Sequence, residues 1–228
     1  MKKVVVLSLG GSLIIPDKVD ANFLIKFKNT LRSLYRTHKF VVVCGGGSIA
    51  RKYISLLKSQ NKSTKELSLA GIRATRTNAQ LLMQFFGKEA NDTLPKDMKD
   101  VKDYLSKNDV VLCGALRFDP EATSDTTAAK LASFLKTEFI NMTNVKGLYT
   151  DNPKTNPKAK FVPKISWKAF EKQALKLKHE AGQHFVLDQS AAILIRKNKI
   201  PTYIIDQDLK NLDKILKGKK FVGTIINN

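Results

Sequence analysis

Two short glycine clusters carry the chemistry most open to reading: Leu9-Gly10-Gly11-Ser12, and Cys44-Gly45-Gly46-Gly47-Ser48-Ile49-Ala50-Arg51. Each directly follows an apolar, β-branched run. Glycine lets a backbone approach a ligand closely, and the free amides at the start of a following helix can hold phosphate oxygens. Neither cluster has the spacing of a Walker loop or of a dinucleotide-binding G-x-G-x-x-G. One glycine pair alone reads equally well as a tight strand-to-helix turn. Two of them at the carboxyl ends of different parallel strands say more, because ligands of open α/β sheets sit in that crevice. Arg51 stands four residues beyond Gly47, about one helical turn, so its guanidinium can reach back to the same phosphate.

A second anion site is suggested by Thr123-Ser124-Asp125, which precedes the apolar-periodic run Ala128 to Leu135. This is a helix-start signature, and the free amides and positive dipole end of a helix start favour an anion. Capping by Ser124 or Asp125 explains the same residue types. His38, His179 and His184 are scattered without ligand spacing, and no Ser/His/Asp or paired-carboxylate pattern is present. Cys44 and Cys113 each end an apolar run, as small buried hydrophobes do. No metal site is indicated.

The elements that must position these residues follow from periodicity. Strand-length apolar runs recur at Val4 to Leu9, Phe40 to Val43, Val110 to Leu112, Phe139 to Met142 and Thr202 to Ile205. Between most of them lie helical stripes, at Phe23 to Leu34, Ile72 to Phe86, Ala128 to Leu135 and Leu187 to Ile195. The alternation predicts a three-layer α/β/α sandwich around a mostly parallel central sheet. Lys146 to Lys164 holds three of the seven prolines and reads as a turn-rich excursion where a sub-lobe boundary would fall. Asn91 to Lys107 is a polar, weakly helical stretch.

The formal charge of +20 and pI near 9.9 raise nucleic acid, an anionic membrane surface or small polyanions as partners. The basic residues are spread along the whole chain, which favours a solvated Lys-rich surface over a nucleic-acid site. No apolar stretch approaches the roughly 20 residues that cross a bilayer, and Gly10-Gly11 interrupts the only run resembling a secretory signal. A cytoplasmic setting with no membrane partner is the expectation.

Six strings, VLSLGGSL, VVVCGGGSIARKYI, GIRATRTNAQLL, TSDTTAAKLA, TNVKGLYTDNPKTNPKAK and AGQHFVLDQSAA, occur in this order and resemble the archaeal-type uridylate kinases of the amino-acid-kinase family. The resemblance implies one amino-acid-kinase domain over 1–228, with an acceptor-binding part about 1–135 and an ATP-binding part about 136–228. It implies transfer of the ATP γ-phosphate to UMP, with Mg²⁺ accompanying the ATP, and a homo-oligomer, typically a hexamer. Carried over by position, Gly10, Gly11 and Ser12 surround the ATP phosphates, Gly47 and Arg51 touch ATP, and Gly46 faces UMP. Thr143, Asn144, Tyr149 and Asn152 fall on the adenine-nucleotide side, Asn152 standing where an Asp is usual. Thr123 and Ser124 end the acceptor loop, and Gly10, Ser12, Arg51 and Asp125 are the candidate catalytic residues.

Three positions depart from that pattern. Many relatives carry a Lys two residues before the first Gly-Gly, where this chain has Ser8, so Arg51 or Lys130 must supply the charge. Ser68 stands at an acceptor-ribose position where Asp is usual. The loop from Gly114 to Glu121 is about two residues longer than the family's, and Arg117 or Phe118 is expected to contact the acceptor there. These departures keep two alternatives in view: a kinase for another small phosphate or carboxylate, and a nucleotide-binding sensor or storage protein. For UMP as acceptor no general base is needed, since its phosphate oxygen is already anionic and catalysis rests on positioning and charge neutralisation.

Overall fold

The computed structural model describes residues 2–116, 123–153, 155–176 and 186–228. In chain order the elements are β1 (Lys3–Leu9), α1 (Gly11–Ile14), α2 (Ala21–Arg32), β2 (His38–Cys44), α3 (Gly47–Ser59), α4 (Thr64–Phe86), α5 (Met98–Lys107), β3 (Val110–Cys113), α6 (Ser124–Phe134) and β4 (Phe139–Met142). There follow β5 (Leu148–Tyr149), β6 (Phe161–Val162), β7 (Lys164–Ser166), α7 (Trp167–Lys176), α8 (Gln189–Lys197), β8 (Thr202–Ile205), α9 (Leu209–Leu216) and β9 (Thr224–Asn227). All five strand-length runs of the sequence are strands, within two residues at either end.

The main sheet has the order β3-β2-β1-β4-β8-β9-β7. The first five strands are mutually parallel, β9 runs antiparallel to β8, and β7 lies parallel to β9. The chain builds outward from β1 through β2 to β3, then returns to add β4 on the other side of β1. That reversal makes the β1/β4 junction the topological switch point, and every loop leaving β1, β2, β3, β4 and β8 emerges at one edge of the sheet.

Alternate strand residues feed two separate cores. Val5, Leu7, Leu9, Phe40, Val42 and Leu112 pack with α2, the second half of α4 and α9. Val6, Val41, Val43, Val111 and Phe139 pack with α5, α6, α7 and α8. Strands buried on both faces read as continuous apolar runs, which is why they were legible. Cys44 belongs to the first core and Cys113 to the second, so the two thiols lie on opposite faces, both free. Burial pushes Cys113 up to about 12 and Cys44 up as well, which keeps them inert.

Helix starts are fixed by local chemistry. Asp20, Asp97, Asp188 and Asp208 cap α2, α5, α8 and α9, and Ser63 with Glu66 closes a capping box on α4. The polar 91–107 stretch holds a firmer helix than its composition suggests: Asp97 caps it and Val101 and Leu105, one turn apart, are buried. The turn-rich 146–164 excursion carries a two-stranded antiparallel hairpin, β5 with β6. No helix among the described residues is long and apolar enough to cross a membrane.

Candidate active site

The two glycine clusters meet. Gly10 N–H donates to Met142 O at 2.9 Å, tying the first corner to the end of β4, and Gly45 N–H donates to Leu9 O at 2.9 Å. A Cβ on Gly11 would stand 1.9 Å from the Gly47 nitrogen, and one on Gly45 would stand 2.4 Å from the Gly11 nitrogen. Gly47 has φ +61°, and its Cβ would lie 2.4 Å from the Gly11 oxygen. The corners are thus packed backbone against backbone at a separation no side chain permits. Ser12 lies half-buried in the short α1 that follows the first corner.

The second corner opens α3, whose N-cap Gly46 provides no side-chain hydrogen bond to the free amides of the first turn. Gly46 is hemmed in, because a Cβ there would lie 2.4 Å from the Ala50 Cβ and 3.7 Å from Gly71 O on α4. Two buried polar atoms beside this corner have no hydrogen-bond partner: the Ser48 hydroxyl and the Asn78 side-chain oxygen. The Asn78 amide meanwhile donates to Gly45 O at 2.7 Å. Buried polar groups without partners are rare in folded chains, and a bound polar ligand is one of the few things that satisfies them. Arg51 is exposed at the start of the second turn of α3.

A carboxylate pair completes the edge. The cap of α6 is Thr123, whose hydroxyl accepts the Asp125 N–H at 3.1 Å, rather than Ser124 or Asp125. The Asp125 side chain is thereby free to accept the Ser8 hydroxyl at 2.7 Å. Asp188 accepts the Ala191 N–H at 2.7 Å, the Thr126 hydroxyl at 2.7 Å and the Thr123 hydroxyl. Burial first, and the negative charge of Asp188 second, push Asp125 up to about 7, against the hydrogen bond from Ser8. A carboxyl poised near neutral pH beside an ionic partner is typical of functional clefts.

This pair corrects the sequence reading, which found no paired carboxylates and gave Asp188 no role. Asp188 caps α8, a duty the sequence reading did not assign. Its second duty, taking both threonine hydroxyls of the α6 start, exists only once the sheet brings α8 beside α6. Ser8 aligns with Asn141 across β1 and β4, so it lies on the switch point itself.

The remaining sequence candidates divide. Thr143 and Asn144 leave β4 at the same edge, Thr143 N–H donating to Ile205 O at 2.9 Å. Ser124 lies half-buried at the α6 start. Ser68 lies half-buried on α4 one turn before the Gly71 carbonyl that borders Gly46. Tyr149 and Asn152 belong instead to the separate hairpin and its turn: the Tyr149 ring meets Phe161 edge-on at 5.5 Å, and Asn152 N–H donates to Asp151 at 2.7 Å. Arg117 and Phe118 lie outside the described residues. His38 begins β2, at the opposite end of the strands from the glycine corners, and stacks on Phe40.

With this geometry in hand, comparison with known proteins is informative. The model of the amino acid kinase family matches residues 3–206. A uridylate kinase of Thermococcus onnurineus is 33% identical over 97% of this chain and 98% of its own length. One from Archaeoglobus fulgidus is 35% identical over 97% of this chain and 99% of its own length. The crystal structure of uridylate kinase from Archaeoglobus fulgidus superposes with a TM-score of 0.85 at 35% identity, covering 99% of this chain and all of that one. The UMP kinase of Ureaplasma parvum, at 21% identity and a TM-score of 0.82, shares the fold.

Proposed function

The chain belongs to the amino acid kinase family, and from that premise we propose that it transfers the γ-phosphate of ATP to UMP, giving UDP. The observation that carries the proposal is the backbone contact of the Gly10-Gly11 and Gly45-Gly47 corners at the switch point. Two phosphate-bearing substrates need such a place, where backbone amides of two loops face one crevice. Relatives named uridylate kinases, matched over nearly their full length, favour UMP over another acceptor and over a non-catalytic sensor.

Within this reading Gly10, Gly11, Ser12 and Gly47 cradle the ATP phosphates, and Arg51 neutralises charge on the transferring group. Gly46, Ser68, Thr123 and Ser124 face the acceptor, while Thr143, Asn144, Tyr149 and Asn152 attend the adenine side. The acceptor part is about 1–135 and the ATP part about 136–228. Positioning and charge neutralisation do the catalysis, because the UMP phosphate oxygen is already an anion and calls for no base. A homo-oligomer, hexameric by the resemblance, and a cytoplasmic setting belong to the same proposal.

Asp125 and Asp188 would hold the Mg²⁺ that accompanies ATP. The donor set fits: two carboxylates brought together at the starts of α6 and α8 suit a cation that keeps water and substrate phosphate in its shell. When bound, the ion neutralises charge on the transferring phosphoryl group. Asp125 shares its carboxyl with the Ser8 hydroxyl, so the chain's own part is to orient that carboxylate and hold it ionised above pH 7.

A coupled ADP-release assay with ATP and Mg²⁺ across UMP, CMP, dUMP, GMP and isopentenyl phosphate tests the proposal. Turnover with UMP well above the others is expected. Tight ATP binding without turnover of any acceptor would overturn it.

A further inference from the structure

One turn of α4 grips the exits of two strands at once. Asn78 donates to Gly45 O at 2.7 Å, where the chain leaves β2. Thr75 accepts the Ala115 N–H at 3.0 Å and donates to Ile72 O at 2.7 Å, so its hydroxyl is used in both directions. Arg76 Nε donates to Ala115 O at 2.9 Å, and its Nη2 donates to Leu116 O. Gly114 makes the close approach possible: a Cβ there would stand 2.7 Å from the Arg76 nitrogen and from the Thr75 hydroxyl.

Strand β3 is the sheet edge and its ladder with β2 stops at Cys113. The carbonyls of Ala115 and Leu116, both buried residues, therefore have no strand to pair with and are satisfied by a guanidinium instead. A guanidinium has a rigid fork of donors, so it fixes two successive carbonyls in direction as well as in place. Thr123, the cap of α6, donates its hydroxyl to Asp188.

We infer that Arg76 is a positioning residue for the acceptor: by clamping the exit of β3 to the helix that also holds Gly45, it sets where the chain enters the acceptor side of the cleft, and so governs acceptor affinity while leaving ATP affinity alone. The inference rests on the proposed kinase reading for its functional consequence and on the hydrogen bonds alone for the clamp.

The test compares Arg76→Met, Arg76→Lys and Arg73→Met in steady-state kinetics and in hydrogen–deuterium exchange. Arg73 is exposed on the same helix, so its replacement removes the same charge without the clamp. Arg76→Met is expected to raise KM for UMP about tenfold or more, the effect of losing hydrogen bonds to a charged donor, with KM for ATP and kcat within about threefold of the parent. Arg76→Lys, which keeps one donor and the charge, should fall between, and Arg73→Met should match the parent. Exchange across 110–116 should quicken in Arg76→Met while β1 and β4 stay protected. Equal rises in both KM values, an Arg73→Met effect of similar size, or unchanged exchange across 110–116 would overturn the inference. If Arg76→Met does not fold, Arg76→Lys decides by the same KM split and exchange. If the parent protein turns over no UMP, the kinase proposal has failed, and the exchange result then judges the clamp by itself.

Discussion

The glycine corners and the carboxylate pair lie at the same sheet edge yet are built in opposite ways. The corners are backbone objects: Gly11, Gly45 and Gly47 interlock because they lack side chains, and they lie in the strand-to-helix turns that follow β1 and β2. The pair Asp125 and Asp188 is a side-chain object, assembled from α6, the start of α8 and Ser8 of β1, residues more than sixty positions apart in the chain. What is held by backbone shape tolerates no substitution, whereas what is held by side-chain hydrogen bonds can be retuned.

The largest effect therefore belongs to Gly11→Ala and Gly47→Ala. The added methyl would fall 1.9 Å and 2.4 Å from backbone atoms of the other corner, and at Gly47 the left-handed φ adds roughly 1–2 kcal/mol. A loss of about 3 kcal/mol or more is expected in chemical denaturation, of the size that strained core substitutions reach, and turnover should vanish with it. Gly218→Ala, also at positive φ (+65°) just past the end of α9 but with nothing within 4 Å of its Cβ, should cost only about 1–2 kcal/mol. If the Gly11 and Gly218 variants lose the same stability, the interlocked-corner account is wrong.

Asp125→Asn comes next and separates activity from stability. The folded pKa of about 7 lies above the ordinary carboxylate value of 3.8. Between those values the folded state keeps a proton that the unfolded chain has released, so stability falls as pH rises through that window and levels off above it. Asparagine removes this penalty. The variant should melt on the order of 2–4 °C higher than the parent at pH 8, equivalent to about 1 kcal/mol, with the gain gone by pH 4, while kcat drops about a hundredfold or more. Calorimetric scans from pH 4 to pH 8 beside kcat at pH 8 read both. A variant that is less stable at pH 8 would contradict the desolvation of Asp125.

Ser8→Ala should be smaller still. It removes the hydrogen bond that pulls the Asp125 pKa down, so the acid limb of the kcat/KM profile should move to higher pH, with a few-fold loss of rate at pH 6.5 and almost none at pH 9. A limb that stays in place would detach Ser8 from the titrating group.

The same contrast explains what was legible in the sequence. The five parallel strands are buried on both faces and so appear as apolar runs, and the corners appear as glycines directly behind two of them. Strands β7 and β9 were not legible, because Lys164–Ser166 and Thr224–Asn227 are only three and four residues long and half-polar. Asp188 carried no signal in the sequence reading although it caps α8, and its contacts with Thr123 and Thr126 depend on α6 and α8 meeting on one face of the sheet. Thr75 fell within the apolar stripe of Ile72 to Phe86 and Arg76 beside it, on a helix that could border the acceptor site or an oligomer contact; the clamp itself was not legible, since the carbonyls and amide involved belong to a strand exit some forty residues away.

The central claim is that both phosphate-bearing substrates share the crevice at the sheet edge onto which the two interlocked glycine corners open. Calorimetric titration with adenosine and uridine joined through a five-phosphate bridge tests it most directly. The account predicts one equivalent bound, displaced by ATP alone and by UMP alone, with binding abolished in a Gly46→Ala variant shown by circular dichroism to be folded. Tight binding that UMP does not displace, or that survives undiminished in the folded variant, would contradict it.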